Sequence, residues 1–394
     1  MCSEHIPTVI SGSDQTIPSI SSNRLAGRPA KEDDRMMKHL CAAAVVLTSA
    51  CNFVSADQWG LERGTPEIKS AGKLTFGPDD ILFIGDAKSA TVFAVATGNR
   101  EGDASKASIN VDDLAGKIGD VVGGEATIND LATNPATGNV FAAVTANEKP
   151  AIVQIDGAGK ITQLVLKDVR FSKAVLANAP ADGVTGRRRR NPRNDAITDI
   201  VWYEGKVLVS GLRSGDAPSS VRELVFPFAK SDKGVGVQIY HAAHGKDEDG
   251  SAMRTFVPLM IDGKPNLLAA YQCTPLVRIP LAELESAAER ITATTVAELG
   301  NRNQPLDMIS YNKDGDEFLL LSNNARGVMK ISTAGLSENK GLTERVSGGG
   351  AAGQGYVTVD SLQGVVQMDK LNATHAVVLV EKDGQQDLKT VALP

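Results

Sequence analysis

From residue 74 onward, runs of four or five apolar, β-prone residues alternate with turns rich in Gly, Asp, Asn and Pro. A helical solenoid would keep a 3.6-residue period through most of each repeat, whereas runs of this length bounded by turn formers read as strands. One unit recurs: an apolar strand start, a turn, an apolar strand, a polar turn and a second apolar strand. The copies begin at Leu74, Leu131, Ile200, Phe256, Met308 and Val366, with spacings of 57, 69, 56, 52 and 58 residues. Their turns fall at Pro78-Asp79, Pro135 to Gly138, Glu204-Gly205, Asp262-Gly263 and Asp314-Gly315, and their second strands at 81–84, 140–144, 207–211, 267–271, 318–322 and 375–380. Strand-built repeats of this length predict an all-β propeller of six or seven four-stranded blades. The main helix candidate is 281–291, rich in Ala and Glu, in a blade connection.

The hairpins 81–95, 140–155 and 319–331 resemble those of exported bacterial β-propellers of the YVTN/NHL-like group, in which a strand ending in small polar residues turns into one ending in an apolar-x-apolar triplet. That resemblance is one of fold and implies four-stranded blades around a central channel, closed by strands from both termini. Six copies are visible. A seventh has room between Asp103 and Gly124, or could be assembled from the two ends.

Upstream, Met36-Met37-Lys38-His39 precedes an apolar run over 40–47 and the small-residue triplet Val54-Ser55-Ala56. A basic start, an apolar stretch of about ten residues and small residues at the cleavage point predict a signal peptide over 36–56, cut between Ala56 and Asp57. Residues 1–35 then read as an overextended start without fold, and 57–394 as a single propeller domain, periplasmic or extracellular. Leu47 stands four places before Cys51, where lipidation needs it three places before, so a lipidated form beginning at Cys51 is the lesser alternative. Cleavage removes Cys2, Cys41 and Cys51, so the mature chain has one thiol, Cys273, no disulfide and no transmembrane segment.

The 394 residues carry 41 basic and 47 acidic side chains, a formal net charge of −6, which speaks against a nucleic-acid partner by bulk charge. Candidate chemistry is sparse. Asp130, Asp199 and Asp307 occupy one repeat position, with Lys73 and Thr255 at the matching positions of two other copies. Carboxylates ringing a channel mouth suit Ca²⁺ or another divalent metal, or else they bond to backbone N–H groups. Asn129 precedes the first of them, and Arg302 and Asn303 lead into the last as candidate ligand contacts. His241 and His244, three apart, fit one side of a helical turn and, with Cys273, form a candidate soft-metal set; a polar loop and a buried thiol are the plain alternatives. Arg187 to Arg190 and Arg193 mark a solvated insertion over 179–194, which accounts for the longest spacing.

The sialidase Asp-box and a Gly-x-Ser-x-Gly elbow are absent, and Trp59 and Trp202 are too few for a quinoprotein pattern. The chain resembles calcium-dependent lactonases of the senescence-marker type in Asn129-Asp130, but lacks an evident first-blade glutamate. The expectation is an exported propeller that binds a protein or small ligand at its channel mouth or loops. The alternative is a metal-assisted hydrolase or oxidoreductase.

Overall fold

The computed structural model describes residues 59–394 apart from Arg187, Arg188, Ser231 and Thr274. The expected start, signal peptide, cleavage point and Cys51 lie outside the described residues. Within them no helix is long and apolar enough to cross a membrane.

Six sheets form a six-bladed propeller. Blade 1 holds Leu74–Phe76, Ile81–Asp86 and Thr91–Ala96; blade 2 holds Ala126–Thr133, Val140–Ala146, Lys149–Ile155 and Ile161–Gln163. Blade 3 is built on Asp199–Tyr203, Lys206–Leu212, Ser219–Val225 and Val235–His241, and blade 4 on Met253–Ile261, Lys264–Tyr271, Pro275–Pro280 and Thr294–Leu299. Blade 5 has Pro305–Lys313, Asp316–Asn323, Gly327–Ser332 and Val357–Thr358, and blade 6 has Val365–Lys370, His375–Lys382 and Gln385–Ala392. The first strand of each blade lines the channel. Hairpin tips Glu204-Gly205, Asp262-Gly263 and Asp314-Gly315 have positive φ at both residues, as tight two-residue turns compatible with strand twist require.

The second strands are apolar almost throughout because a blade is covered on both faces, which removes the alternation of a half-exposed strand. In blade 1, Ile81 and Phe83 pack with Val207 and Val209 of blade 3. Their neighbours Leu82 and Ile84 pack on the other face with Phe141 and Ala143 of blade 2. Blade 1 is therefore sandwiched between blades 2 and 3, and blade 2 continues to blade 6 through Leu131, Val140, Val377 and Leu379. Around the ring the order is 2, 1, 3, 4, 5, 6, so the first two blades are exchanged relative to the chain.

The reason lies in the connection. After Ile161–Gln163 the chain returns to blade 1, where Val169–Val175 pairs with Thr91–Ala96 and carries Glu62–Gly64 on its far side. The long spacing between the second and third copies thus holds a strand as well as the arginine-bearing insertion. Segment 103–124 is not a seventh blade. It supplies Val111, bridged to Leu388 at the edge of blade 6, and the helix Leu114–Val122, whose Leu114 and Ile118 are buried between blades 2 and 6. Closure by paired terminal strands, which the resemblance implied, is replaced by packing of blade 6 on blade 2. The expected helix over 281–291 is shorter, Leu281–Ser286, because Arg290–Thr292 pairs in parallel with Val235–His241.

Candidate functional site

The innermost strands share a device that orders the channel. Register slips by one residue before Asp130, Thr255, Asp307 and Gln367, bulging out Asn129, Arg254, Leu306 and Val366. Bulges re-aim the next side chain. Val366, the expected start of the sixth copy, is thus the counterpart of Asn129, and Met368 is the true equivalent of Leu74. One layer of the channel then reads, in ring order, Asp130, Lys73, Asp199, Thr255, Asp307, Gln367. Each aspartate accepts a hydrogen bond from the following blade: Leu74 N–H donates to Asp130 Oδ2 at 2.8 Å, Phe256 N–H to Asp199 Oδ2 at 3.0 Å, and Met368 N–H to Asp307 Oδ2 at 2.8 Å.

Lys73 Nζ lies 2.8 Å from Asp130 Oδ1. Burial opposes its charge, but Asp130, Asp199 and Asp307 together hold the ammonium well above the ordinary lysine range. Burial pushes Asp130 and Asp307 up despite Lys73, and Asp199 up to about 6. Asp369, which accepts from Thr133 N–H at 2.6 Å, is likewise pushed to about 6 by burial. The chain thus supplies its own cation to the carboxylate ring, which clasps neighbouring strands. Asn129 donates to Ala71 O and Thr145 Oγ1. A cavity of about 470 Å³ reaches Lys73 and Asn129 from one mouth, and another of about 440 Å³ reaches the three aspartates.

A second group of polar side chains lies beside that first mouth, over blades 3 and 4. A cavity of about 550 Å³ there is lined by Arg190, Asp195, His241, His244, Lys246, Glu248, Arg254, Cys273 and Arg345, among others. Asp195 and Arg254, paired at 3.0 Å, line both this cavity and the adjoining one. His241 ends its strand, and His244 N–H and Gly245 N–H both donate to His241 O, closing a tight turn into Lys246–Glu248. The histidine pair therefore sits on one side of a single helical turn, as its spacing suggests, and that turn is the tip of a hairpin. The tip is clamped from outside: Ala243 N–H donates to Glu298 Oε2, Val346 N–H donates to Ala242 O, and the Arg345 stem lies over Gly245.

Within the hairpin, Glu248 Oε2 is 2.8 Å from His241 Nδ1 and Glu248 Oε1 is 3.0 Å from His244 Nδ1. The two rings are 3.9 Å apart. Burial pulls His241 below its ordinary value, against Glu248, so it is neutral at pH 7 and its Nδ1–H donates to Glu248. His241 Nε2 is buried without a hydrogen-bond partner. Among the described residues, His241, His244 and Glu248 are the one set of three His, Cys, Asp or Glu side chains whose ligand atoms lie within 4.8 Å of one another. Asp130, Asp199 and Asp307 are not gathered in this way.

Cys273, half-buried with φ +64, is on the wall of the same cavity, and its N–H donates to Asn303 O at 2.9 Å. Asn303 is buried and its amide donates to Gly300 O, tying the loop to itself. Arg302 is exposed and lines none of the three cavities. Arg190 faces the histidine cavity, while Arg193 donates to Pro180 O and Lys88 O. Glu248 was missed because Asp247-Glu248-Asp249-Gly250 reads as a solvated turn; its separation of seven from His241 makes sense only once the hairpin is known. Arg254 and Arg345 carry no local signal at all.

No family model matches the sequence, and no curated protein matches it. Among solved structures, a chain of the "Mitotic Checkpoint Complex" is 8% identical with TM-score 0.37, covering 84% of this chain and 90% of its own. The plexin A4 extracellular region is 9% identical with TM-score 0.40, this chain spanning 46% of its length and matching over 84% of its own. The PQQ-bound aldose sugar dehydrogenase of Streptomyces coelicolor is 12% identical with TM-score 0.29, over 84% of this chain and 96% of that one. Likenesses this low carry no function across.

Proposed function

We propose that the protein is an exported binding propeller whose site is the cavity over blades 3 and 4, and that its ligand is a small anion. The charge of that cavity supports the reading. Four cations, Arg190, Lys246, Arg254 and Arg345, face two carboxylates, Asp195 and Glu248. Both carboxylates are already engaged, Asp195 with Arg254 and Glu248 with the histidines and Lys246. Among the described residues, Arg190 and Arg345 are in no ion pair, and guanidinium groups left over a concave surface match carboxylate or phosphate.

Titration calorimetry with inorganic phosphate and with citrate tests this. Arg190→Ala and Arg345→Ala, both at exposed residues, should each weaken the bound anion about 10–100-fold, since a hydrogen bond to a charged group is worth roughly 1.5–3 kcal/mol. Affinity indifferent to both substitutions, or no anion bound at all, would remove the proposal. Export is supported by the segment 36–56. A full chain expressed in a bacterium should be recovered from the periplasm or medium with Asp57 as its first residue, and a cytoplasmic chain that keeps the segment would contradict it.

A further inference from the structure

The hairpin at the end of blade 3 carries an inference that does not depend on the anion. His241 and His244 belong to one five-residue turn, and Glu248 comes back across the sheet to meet both rings. One ligand atom from each lies within 4.8 Å of the others. Two imidazoles and a carboxylate are a donor set for first-row transition metals, at metal–nitrogen and metal–oxygen distances of about 2.0–2.2 Å, and not for Ca²⁺ or Mg²⁺, which take oxygen.

Two further features favour an ion over a plain hydrogen-bonded cluster. Both Nδ1 atoms face the one Glu248 carboxylate, at 2.8 and 3.0 Å, so an ion taken up there replaces protons between donors that are already gathered. The turn is also held rigid from outside by Glu298, Val346 and Arg345, as a site that must keep ligand geometry requires. Among the described residues, Lys246 Nζ, 3.3 Å from Glu248 Oε1, is the cation that competes for this carboxylate; its side chain is 61% exposed and free to turn outward.

We propose that His241, His244 and Glu248 bind one divalent transition-metal ion, with zinc as the reference ion, and leave a coordination position open toward the cavity lined by Cys273, Arg190 and Arg345. Three protein ligands with an open fourth place are the arrangement of sites that bind an exchangeable ligand, whereas purely structural zinc sites are closed by four. An anion held by the arginines would then stand beside the ion.

Chelator-treated protein in a buffer free of coordinating anions would be titrated with Zn²⁺ by calorimetry and with Co²⁺ by visible absorption. One ion per chain is expected, with a Co²⁺ spectrum of nitrogen and oxygen coordination below six ligands. His244→Ala, at a half-exposed turn residue, and the near-isosteric Glu248→Gln should each weaken zinc by about 10–100-fold or more, with thermal melting of the metal-free protein unchanged. Asp199→Asn, in the channel layer away from the hairpin, should bind as the parent does. Absence of stoichiometric zinc, zinc undiminished in both hairpin variants, or zinc lost in Asp199→Asn would each overturn the site. Anion titration of the chelated protein is read separately, so loss of the metal site and loss of the anion site are distinguishable.

Discussion

Lys73→Met is expected to destabilise the protein by about 3–5 kcal/mol, the usual cost of removing one partner from a buried charge cluster. The ammonium is 19% exposed in its side chain, touches Asp130 at 2.8 Å, and its charge also reaches Asp199 and Asp307. Removing it leaves carboxylates that burial already pushes up with no cation in the channel layer. Methionine keeps most of the stem volume, so the loss reports charge and not a cavity. Urea unfolding measures it. Adding Asp199→Asn to Lys73→Met should recover part of the loss, because an amide oxygen can still accept from Phe256 N–H at that place while removing one negative charge. A cost below about 1 kcal/mol, typical of an exposed ion pair, would show that water and not Lys73 balances the ring.

The same layer shows how far the sequence could be read. Asp130, Asp199 and Asp307 at one repeat position were legible because a strand repeat places equal positions at equal depth. Lys73 and Thr255 in the matching places were legible too. What the sequence did not carry was the ring order. The alternation of aspartates with Lys73, Thr255 and Gln367 appears only after blades 1 and 2 are exchanged, and that exchange is written in a single return strand, Val169–Val175, whose residues read like any other edge strand. Bulges are equally silent: Val366 is as apolar as a core residue and reads as one, although it is the displaced residue of its strand. Strand runs, hairpin turns and the blade count come from local chemistry, which a sequence holds. Neighbour relations between blades depend on which face of a strand meets which, and both faces here are apolar.

The histidine site divides along the same line. His241 and His244 stand out in the sequence as the one close histidine pair, and Cys273 as the one cysteine after residue 51. Their meeting with Arg254 and Arg345 is a product of tertiary structure: residues 345 and 346, in the connection that follows Gly327–Ser332, reach the hairpin through a backbone bond from Val346 N–H to Ala242 O. Two glutamates shape the hairpin from opposite sides. Glu248 orients the rings, and Glu298 holds the tip.

Stability should fall as pH rises from about 4 to 7, the reverse of the rise that ordinary, well-paired carboxylates produce. Asp199 and Asp369 are raised from 3.8 to about 6, and Glu298 from 4.5 to about 7, all through burial. A carboxyl raised in the folded state keeps a proton that the unfolded chain has released. The folded state is therefore favoured below the unfolded value, and the advantage is lost as pH climbs from that value to the folded one. A shift of two units is worth about 2.7 kcal/mol, so even one of these groups should lower stability measurably between pH 4.5 and 8. Asp103 and Asp387, held near 2 by hydrogen bonds from side chains and backbone, act in the opposite sense only below pH 4; within the window His241, lowered by burial, also acts in the opposite sense, but it is one group against these three carboxyls. Unfolding by urea at pH 4.5, 6 and 8 gives the slope, and Glu298→Gln assigns part of it. Glu298 Oε1 is buried without a partner, while Oε2 accepts from Ala243 N–H, so the amide should keep that bond and flatten the profile above pH 5. A parent protein as stable at pH 8 as at pH 4.5 would mean that these carboxyls ionise freely, and that the blade 4 edge behind the histidine hairpin is wet.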